Sequence, residues 1–340
     1  MAKNKIKILF IVFFTLVIFL VGGGHLFYHK ISSFVKEPFN PLATEKVFSI
    51  KPGQSLAVIA QNLKTESIIS NKIFFKLFTK YKKAERKLQA GEYILSASKS
   101  PEQILEIFLK GKVKLYRITI PEGMNIKEIA LLVEKENFCK NEEFIDLCHD
   151  KSFIFSLGIN AITLEGYLFP DTYFFPKNTD CKTVITTMME RFNTIFTEEW
   201  QKQAKTIGFS VHDIVTLASI IEKETGDALE RPLISSVFHN RLKKNMRLET
   251  DPTVIYGIKN FDGNIKKEHL KIKTPYNTYQ IKGLPLGPIA NPGAKSLAAA
   301  LNPVTSDYIF FVSKKDTTHQ FSKTIQEHNK AVAKYQLRKK

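Results

Sequence analysis

Two glutamates are the residues best suited to moving a proton. They close the run Leu217-Ala-Ser-Ile-Ile-Glu-Lys-Glu-Thr225. At about 100° per residue, Glu222 and Glu224 point about 160° apart on a helix. They flank an apolar stripe of Ile214, Leu217, Ala218 and Ile221 on opposite sides. They therefore cannot straddle one bond together, as paired glycosidase carboxylates must. Glu222 has Ala218 and Ser219 at i−4 and i−3, small residues that leave room for a ligand. Glu224 has Ile220 and Ile221 there and is expected to be less accessible. A carboxyl beside apolar surface is harder to ionise, as a general acid requires. Spacing alone is equally that of boundary glutamates with satisfied hydrogen bonds.

Other chemistries find less support. Ser219 lacks the G-x-S-x-G elbow of a serine hydrolase, and no G-x-x-x-x-G-K-[ST] loop is present for a nucleotide. His239, His319 and His328 lack metal-ligand spacing, and His328 reads as structural. No metal or cofactor is expected. Cys139, Cys148 and Cys181 form no C-x-x-C pair. They read as three isolated buried thiols, with a Cys139–Cys148 bridge as the alternative in an oxidising compartment.

The glutamates need a helix, and the sequence supplies its ends. Ser210-Val-His-Asp213 has the pattern of a capping box, and Gly226 is a natural stop after Thr225. Lys223 is expected to point to water. Downstream, Asp251-Pro252 reads as an N-cap followed by Pro at the first helical position.

The first thirty residues set the compartment. Ile8–Val21 is apolar except for Thr15, and the glycines at 22–24 extend it to the roughly 17 residues that a spanning helix needs. Lys3, Lys5 and Lys7 precede it, so the positive-inside rule puts the N-terminus in the cytoplasm and the rest outside the plasma membrane. A cleaved signal peptide competes, but no A-x-A-like site is present. Fifty Lys and Arg against 33 Asp and Glu leave +17, which invites a nucleic-acid reading. An extracytoplasmic placement argues against nucleic acid and towards anionic envelope material, or towards a coding bias with no partner.

The exported part contains a repeat. Phe48–Ala60 aligns without gaps to Ile118–Ala130, pairing Ile50 with Ile120 and Gly53 with Gly123. Further on, Asn71 and Phe74 pair with Asn141 and Phe144. Each copy predicts a short strand, a Pro/Gly turn and a helix capped by Ser55 or Asn125. A second helix follows, around Lys72–Tyr81 or Glu142–Leu147, and Glu92–Leu95 alternates as a closing strand. The stretch Ile50–Ala60 resembles LysM-type peptidoglycan-binding modules, though a plain α/β spacer fits the same pattern.

The run Leu217–Thr225 is one of several ordered motifs. Upstream lies Leu164-Glu-Gly-Tyr-Leu-Phe-Pro-Asp-Thr-Tyr-Phe174. Downstream come Ser236-Val-Phe-His-Asn-Arg-Leu242, Met246-Arg-Leu-Glu-Thr-Asp-Pro-Thr-Val-Ile-Tyr-Gly257, Tyr276-Asn-Thr-Tyr279, Gly283–Gly293, Tyr308–Val312 and His319–Ser322. In this order they resemble the endolytic murein transglycosylases of the MltG (YceG-like) type, over essentially the whole chain. The resemblance implies a lytic cut of the β-1,4 bond between N-acetylmuramic acid and N-acetylglucosamine. Glu222 would serve as acid and then base, leaving a 1,6-anhydromuramoyl end.

It also makes Glu165, Ser219, Arg247, Glu249, Thr250, Asn277, Thr278 and Tyr279 candidates for binding the saccharide. Asn277, Thr278 and Tyr279 offer amide, hydroxyl and aromatic groups suited to N-acetyl sugars. Loop hydrogen bonding and packing explain the same residues, and Asp251 reads as a cap rather than a catalyst. The fold expected is α+β. It comprises an anchor at 1–30, a linker at 31–44, a LysM-like module at 45–115, a second repeat copy or connector at 116–155 and a mixed catalytic domain at 156–340. Expected partners are nascent peptidoglycan strands, the membrane and cell-wall synthases, with no nucleic acid. The competing functions are a hydrolytic muramidase and a non-catalytic wall-binding scaffold.

Overall fold

The computed structural model describes residues 2–259 and 261–337. Helices hold about 50% of the chain and strands 8%. The chain divides after Tyr116 into two compact units. The side chains of Lys3 and Lys5, and the residues Met1, Asn260 and 338–340, lie outside the described part.

The first unit begins with α1 (Ala2–Lys36), one unbroken helix. Its candidate membrane span is Leu9–Lys36, within which an 18-residue stretch has a mean hydropathy of 2.4 and no buried residue. The helix does not stop near residue 30. It runs six residues further because Ile31, Phe34 and Val35 turn an apolar face onto the unit's core, where Val35 is buried. Pro38, two residues past the end, cannot continue it. Then come β1 (Lys46–Ile50), α2 (Leu56–Thr65), α3 (Lys72–Tyr81), β2 (Gly91–Leu95) and α4 (Pro101–Leu109). β1 and β2 pair antiparallel, Lys46 opposite Leu95 and Ile50 opposite Gly91. Phe48, Leu63, Phe75, Tyr93 and Phe108 fill the core beneath.

The second unit opens with the same order of elements: β3 (Tyr116–Thr119, begun on the last residue of the first unit), α5 (Ile126–Lys135) and α6 (Asn141–His149). Next are α7 (Lys151–Ser156) and β4 (Thr172–Phe175), which pairs with β3. The first copy thus closes as strand–helix–helix–strand, and the second has a third helix, α7, before a closing strand that lies beyond the stretch the repeat alone marked. Ile59, Ala60 and Leu63 are buried on α2, as are Ile129, Ala130 and Val133 on α5. Ser55 and Asn125 cap these helices, and Gly53 and Gly123 take φ of +78° and +80° in the preceding turns. Only glycine adopts that conformation without a Cβ penalty.

The remaining elements are α8 (Cys181–Ile195), α9 (Glu198–Thr206), α10 (Val211–Glu224), α11 (Arg231–Lys243), α12 (Asp251–Gly257), α13 (Ala294–Leu301), β5 (Phe310–Ser313), β6 (His319–Ser322) and α14 (Ile325–Val332). α10 is central, packed by α9, α11, α12 and α13. Every residue from Ile214 to Ile221 is buried. An apolar stripe understated this helix: small Ala218 and Ser219 let neighbours close on all sides.

The cysteines pair differently from either expectation. Cys139 bonds Cys181, their Cα atoms 5.4 Å apart, while Cys148 is free and buried. The α6–α8 packing brings the first residue of α8 beside Lys140. Meanwhile α6 carries Cys148 inward, where its carbonyl accepts from Leu164 N–H.

Candidate functional site

The capping box at the start of α10 forms as its sequence dictates, with Ser210 and Asp213 each accepting from the other's backbone N–H. The other end departs from expectation. Glu224 is the last helical residue, and Thr225 is extended at φ −140°, ψ 137°, with no left-handed glycine stop. Glu224 therefore sits at the tip of the helix, whereas Glu222 sits a half-turn back against α11.

Glu222 is fully engaged. Arg231 Nη2 donates to its Oε1 at 2.8 Å, and Gly293 N–H donates to its Oε2 at 2.9 Å. The two side chains keep only 5% and 7% exposure. Glu122 completes the cluster, its carboxylate 3.6 Å from Arg231 Nη2. Burial, with Glu222 nearby, pushes the Glu122 carboxyl up. Lys223 is exposed as expected, and its ammonium also donates to the Gly123 carbonyl at 3.1 Å.

Glu224 borders two cavities. One, about 370 Å³, is also lined by Arg241, Glu249, Thr250, Asp251 and Tyr279; the other, about 650 Å³, by Thr225, Asp227, Ser313, Thr317 and His319. Burial raises the Glu224 carboxyl to about 7, against the opposing effects of the Thr250 hydroxyl that donates to it and the charges of His319 and Arg241. Such a group holds its proton near neutrality and can release it.

A carboxylate–imidazole pair faces the larger cavity. Glu230 accepts from the backbone N–H of His319 at 2.9 Å and from its ring Nδ1 at 2.6 Å. A carboxylate only accepts, so the bond puts a proton on Nδ1 and leaves Nε2 as the ring nitrogen turned to other partners. Among the described residues, no protein group bonds Nε2. Sequence named His319 only as a histidine without metal-ligand spacing and as the start of a motif, and did not pair it with Glu230, 89 positions away.

The other candidates divide sharply. Thr250, Glu249 and Tyr279 line the smaller cavity with Glu224. Glu249 holds φ +51°, a conformation costing a non-glycine residue about 1–3 kcal/mol. Arg241, also missed, holds that loop: it donates to the carbonyls of Arg247 and Leu248 and to Oε2 of Glu249. Arg247 itself is exposed. Asp251 is the first residue of α12 rather than its cap and accepts from Tyr279 Oη at 2.8 Å.

Four candidates are buried and hydrogen-bonded within the protein. Asn277 is buried, its amide spent on the carbonyls of His269, Leu270 and Ile272. Thr278 is buried and bonds Thr250 N–H and Thr253 Oγ1. Ser219 is buried, donating to Thr216 and accepting from Ile289 N–H. Glu165 is buried, accepting from Ile126 N–H, Tyr256 Oη and Asn291 Nδ2, and does not line a groove. Burial raises its carboxyl to about 7.

Known proteins share this architecture. Residues 48–334 match the YceG-like family. A Bacillus subtilis (strain 168) protein named endolytic murein transglycosylase is 35% identical over 332 residues, covering 93% of this chain and 91% of that one. A Streptococcus pneumoniae (strain D39 / NCTC 7466) protein of the same name is 28% identical over 371 residues, spanning 98% of this chain and 66% of its own length. A crystal structure of a yceG-like protein from Listeria monocytogenes is 34% identical, with a TM-score of 0.59 over 84% of this chain and 98% of that one. The chain belongs to the YceG-like family.

Proposed function

We propose that the chain is a membrane-anchored lytic transglycosylase acting on peptidoglycan strands, with Glu224 as its proton-transferring residue. The observation that carries the reading is Glu224 at the tip of α10, bordering two cavities with a carboxyl raised to about 7. The names of the B. subtilis and S. pneumoniae relatives support the substrate and the reaction. In its acid form Glu224 protonates the leaving oxygen of N-acetylglucosamine. As a carboxylate it then takes the proton of the muramoyl 6-hydroxyl while that oxygen closes on C1. His319, aligned by Glu230, offers Nε2 to the sugar in the larger cavity. Glu222, the residue implied by sequence resemblance, is the alternative acid; both of its oxygens are occupied.

Placement follows from α1. The Lys-flanked apolar helix anchors the chain in the plasma membrane, with both units on the extracytoplasmic side. The first unit acts as a LysM-like glycan-binding module, and cell-wall synthases are the fitting partners for an enzyme that trims new strands.

Mass spectrometry of digested glycan tests the reading, using wild type, Glu222→Gln and Glu224→Gln. Anhydro ends, lighter by one water than reducing ends, are expected from wild type and Glu222→Gln. Reducing ends instead would show a muramidase, and binding to sacculi with no cutting would show a scaffold.

A further inference from the structure

The anchor helix and α3 touch at one aromatic residue, and that contact sets a height. Phe74 of α3 meets Phe27 of α1 with ring centroids 5.9 Å apart and Phe34 at 5.7 Å. At 1.5 Å rise per residue, Leu9 to Phe27 spans about 27 Å, close to the roughly 30 Å of a bilayer's hydrocarbon core. Phe34 lies about 10 Å further along the helix. Phe74 bridges these two levels, so α3 starts in the layer where the lipid headgroups of a bilayer crossed by α1 would lie.

The exposed face of α3 suits that layer. Ile73, Leu77 and Tyr81 fall within a sector of about 100° that also contains Phe74. They are 57%, 42% and 82% exposed, while Phe75, Phe78 and Thr79 are buried on the other side. Lys76 and Lys80 border the apolar sector. An open cavity of about 400 Å³ at the same junction is lined by Lys30, Phe34, Phe39, Asn71 and Phe74. An apolar strip edged by lysines is how a helix lies in a membrane interface, with stems against acyl chains and ammonium groups among phosphates. The occupant is fixed by continuity with α1, which brings the lipid surface to this face.

We propose that the Ile73–Leu77–Tyr81 face of α3 rests in the headgroup layer of the membrane that α1 crosses, with Lys76 and Lys80 against anionic lipid phosphates. The proposal rests on the reading of α1 as a spanning helix. The helix and the first unit then form a single interfacial body rather than a domain on a tether.

The test uses the full chain in vesicles of phosphatidylcholine and phosphatidylglycerol. Spin labels are placed singly by Leu16→Cys, Leu77→Cys and Tyr81→Cys, and depth is read from oxygen and nickel-chelate accessibility. The native cysteines do not compete: Cys139 and Cys181 are bonded, and burial pushes the Cys148 thiol up. Labels at 77 and 81 are expected within about 5 Å of the phosphate plane, and the label at 16 deep in hydrocarbon. Labels at both 77 and 81 lying more than about 10 Å out in water, with the label at 16 still deep, would overturn the proposal alone. A water-exposed label at 16 would overturn the reading of α1 as well. Two α3 sites guard against one substitution disturbing the local fold.

Discussion

Arg231 donates to Glu222 at 2.8 Å, a bond that links α10 to α11. With Gly293 N–H on the other oxygen, both oxygens of its carboxylate accept hydrogen bonds. Two residues later Glu224 accepts one side-chain hydrogen bond, from the Thr250 hydroxyl, and lines two cavities.

The two glutamates should therefore fail differently. Glu224→Gln is expected to lower strand cutting by about 10²–10⁴-fold while the protein stays folded. Glu222→Gln leaves the buried Arg231 with only the more distant, half-exposed Glu122 as charge partner, and loss of one member of a buried pair costs up to about 3–5 kcal/mol. Its denaturant midpoint should fall, while the activity of the folded fraction persists. Measuring both variants by urea titration and by glycan product analysis separates a stabilising residue from the acid.

Acidity gives a second signature. Cutting needs Glu224 protonated, so kcat should fall as pH rises through about 7. Stability moves in the same direction. A carboxyl raised from 4.5 to about 7 in the folded state contributes its full stabilisation below 4.5 and loses it as pH rises through about 7. The raised value is equivalent to about 3 kcal/mol. Glu224→Gln cannot ionise, so its Tm should exceed that of wild type at pH 8, with the gain shrinking by pH 5. A gap of equal size at both pH values would contradict the assigned titration.

The Glu230–His319 pair predicts a graded loss. His319→Ala should reduce kcat by about 10²-fold, with KM little changed. Glu230→Gln, which retains a hydrogen bond but not the charge, should fall between that variant and wild type. Imidazole added to His319→Ala should recover part of the rate. Steady-state kinetics on a soluble glycan strand read all three.

The Cys139–Cys181 bond closes a loop with a sequence separation of 42. Chain-entropy arguments assign such a loop about 4 kcal/mol. Cys139→Ser should lower Tm accordingly, and peptide mapping without reductant should recover the 139–181 crosslink. Thiol reagents should modify Cys148 only after denaturation.

Local signals carried much of this fold. The Ser55 and Asn125 caps, the buried stripes of α2 and α5 and the Ser210–Asp213 box are settled within four residues of chain, so periodicity and cap chemistry suffice. The site was legible only in part. Glu165 and Asn277 looked like ligand-facing polar groups because sequence shows donors and acceptors but not the backbone groups that claim them. Glu222 looked more open than Glu224 because small neighbours suggest space, whereas Arg231 and Gly293 fill it from elsewhere. The Glu230–His319 pair and the Cys139–Cys181 bond depend on distant segments meeting, which no local rule encodes.

The extended turn at Thr225 has one more effect. Because the chain leaves α10 without folding back over its last carbonyls, the negative end of the helix dipole is directed at Glu224. That field opposes a negative charge on the side chain beside it. A carboxylate that has just given up its proton at this position is thereby primed to recapture one. A cycle in which a single group donates and then accepts needs this bias, and the backbone supplies it without a second ionisable residue.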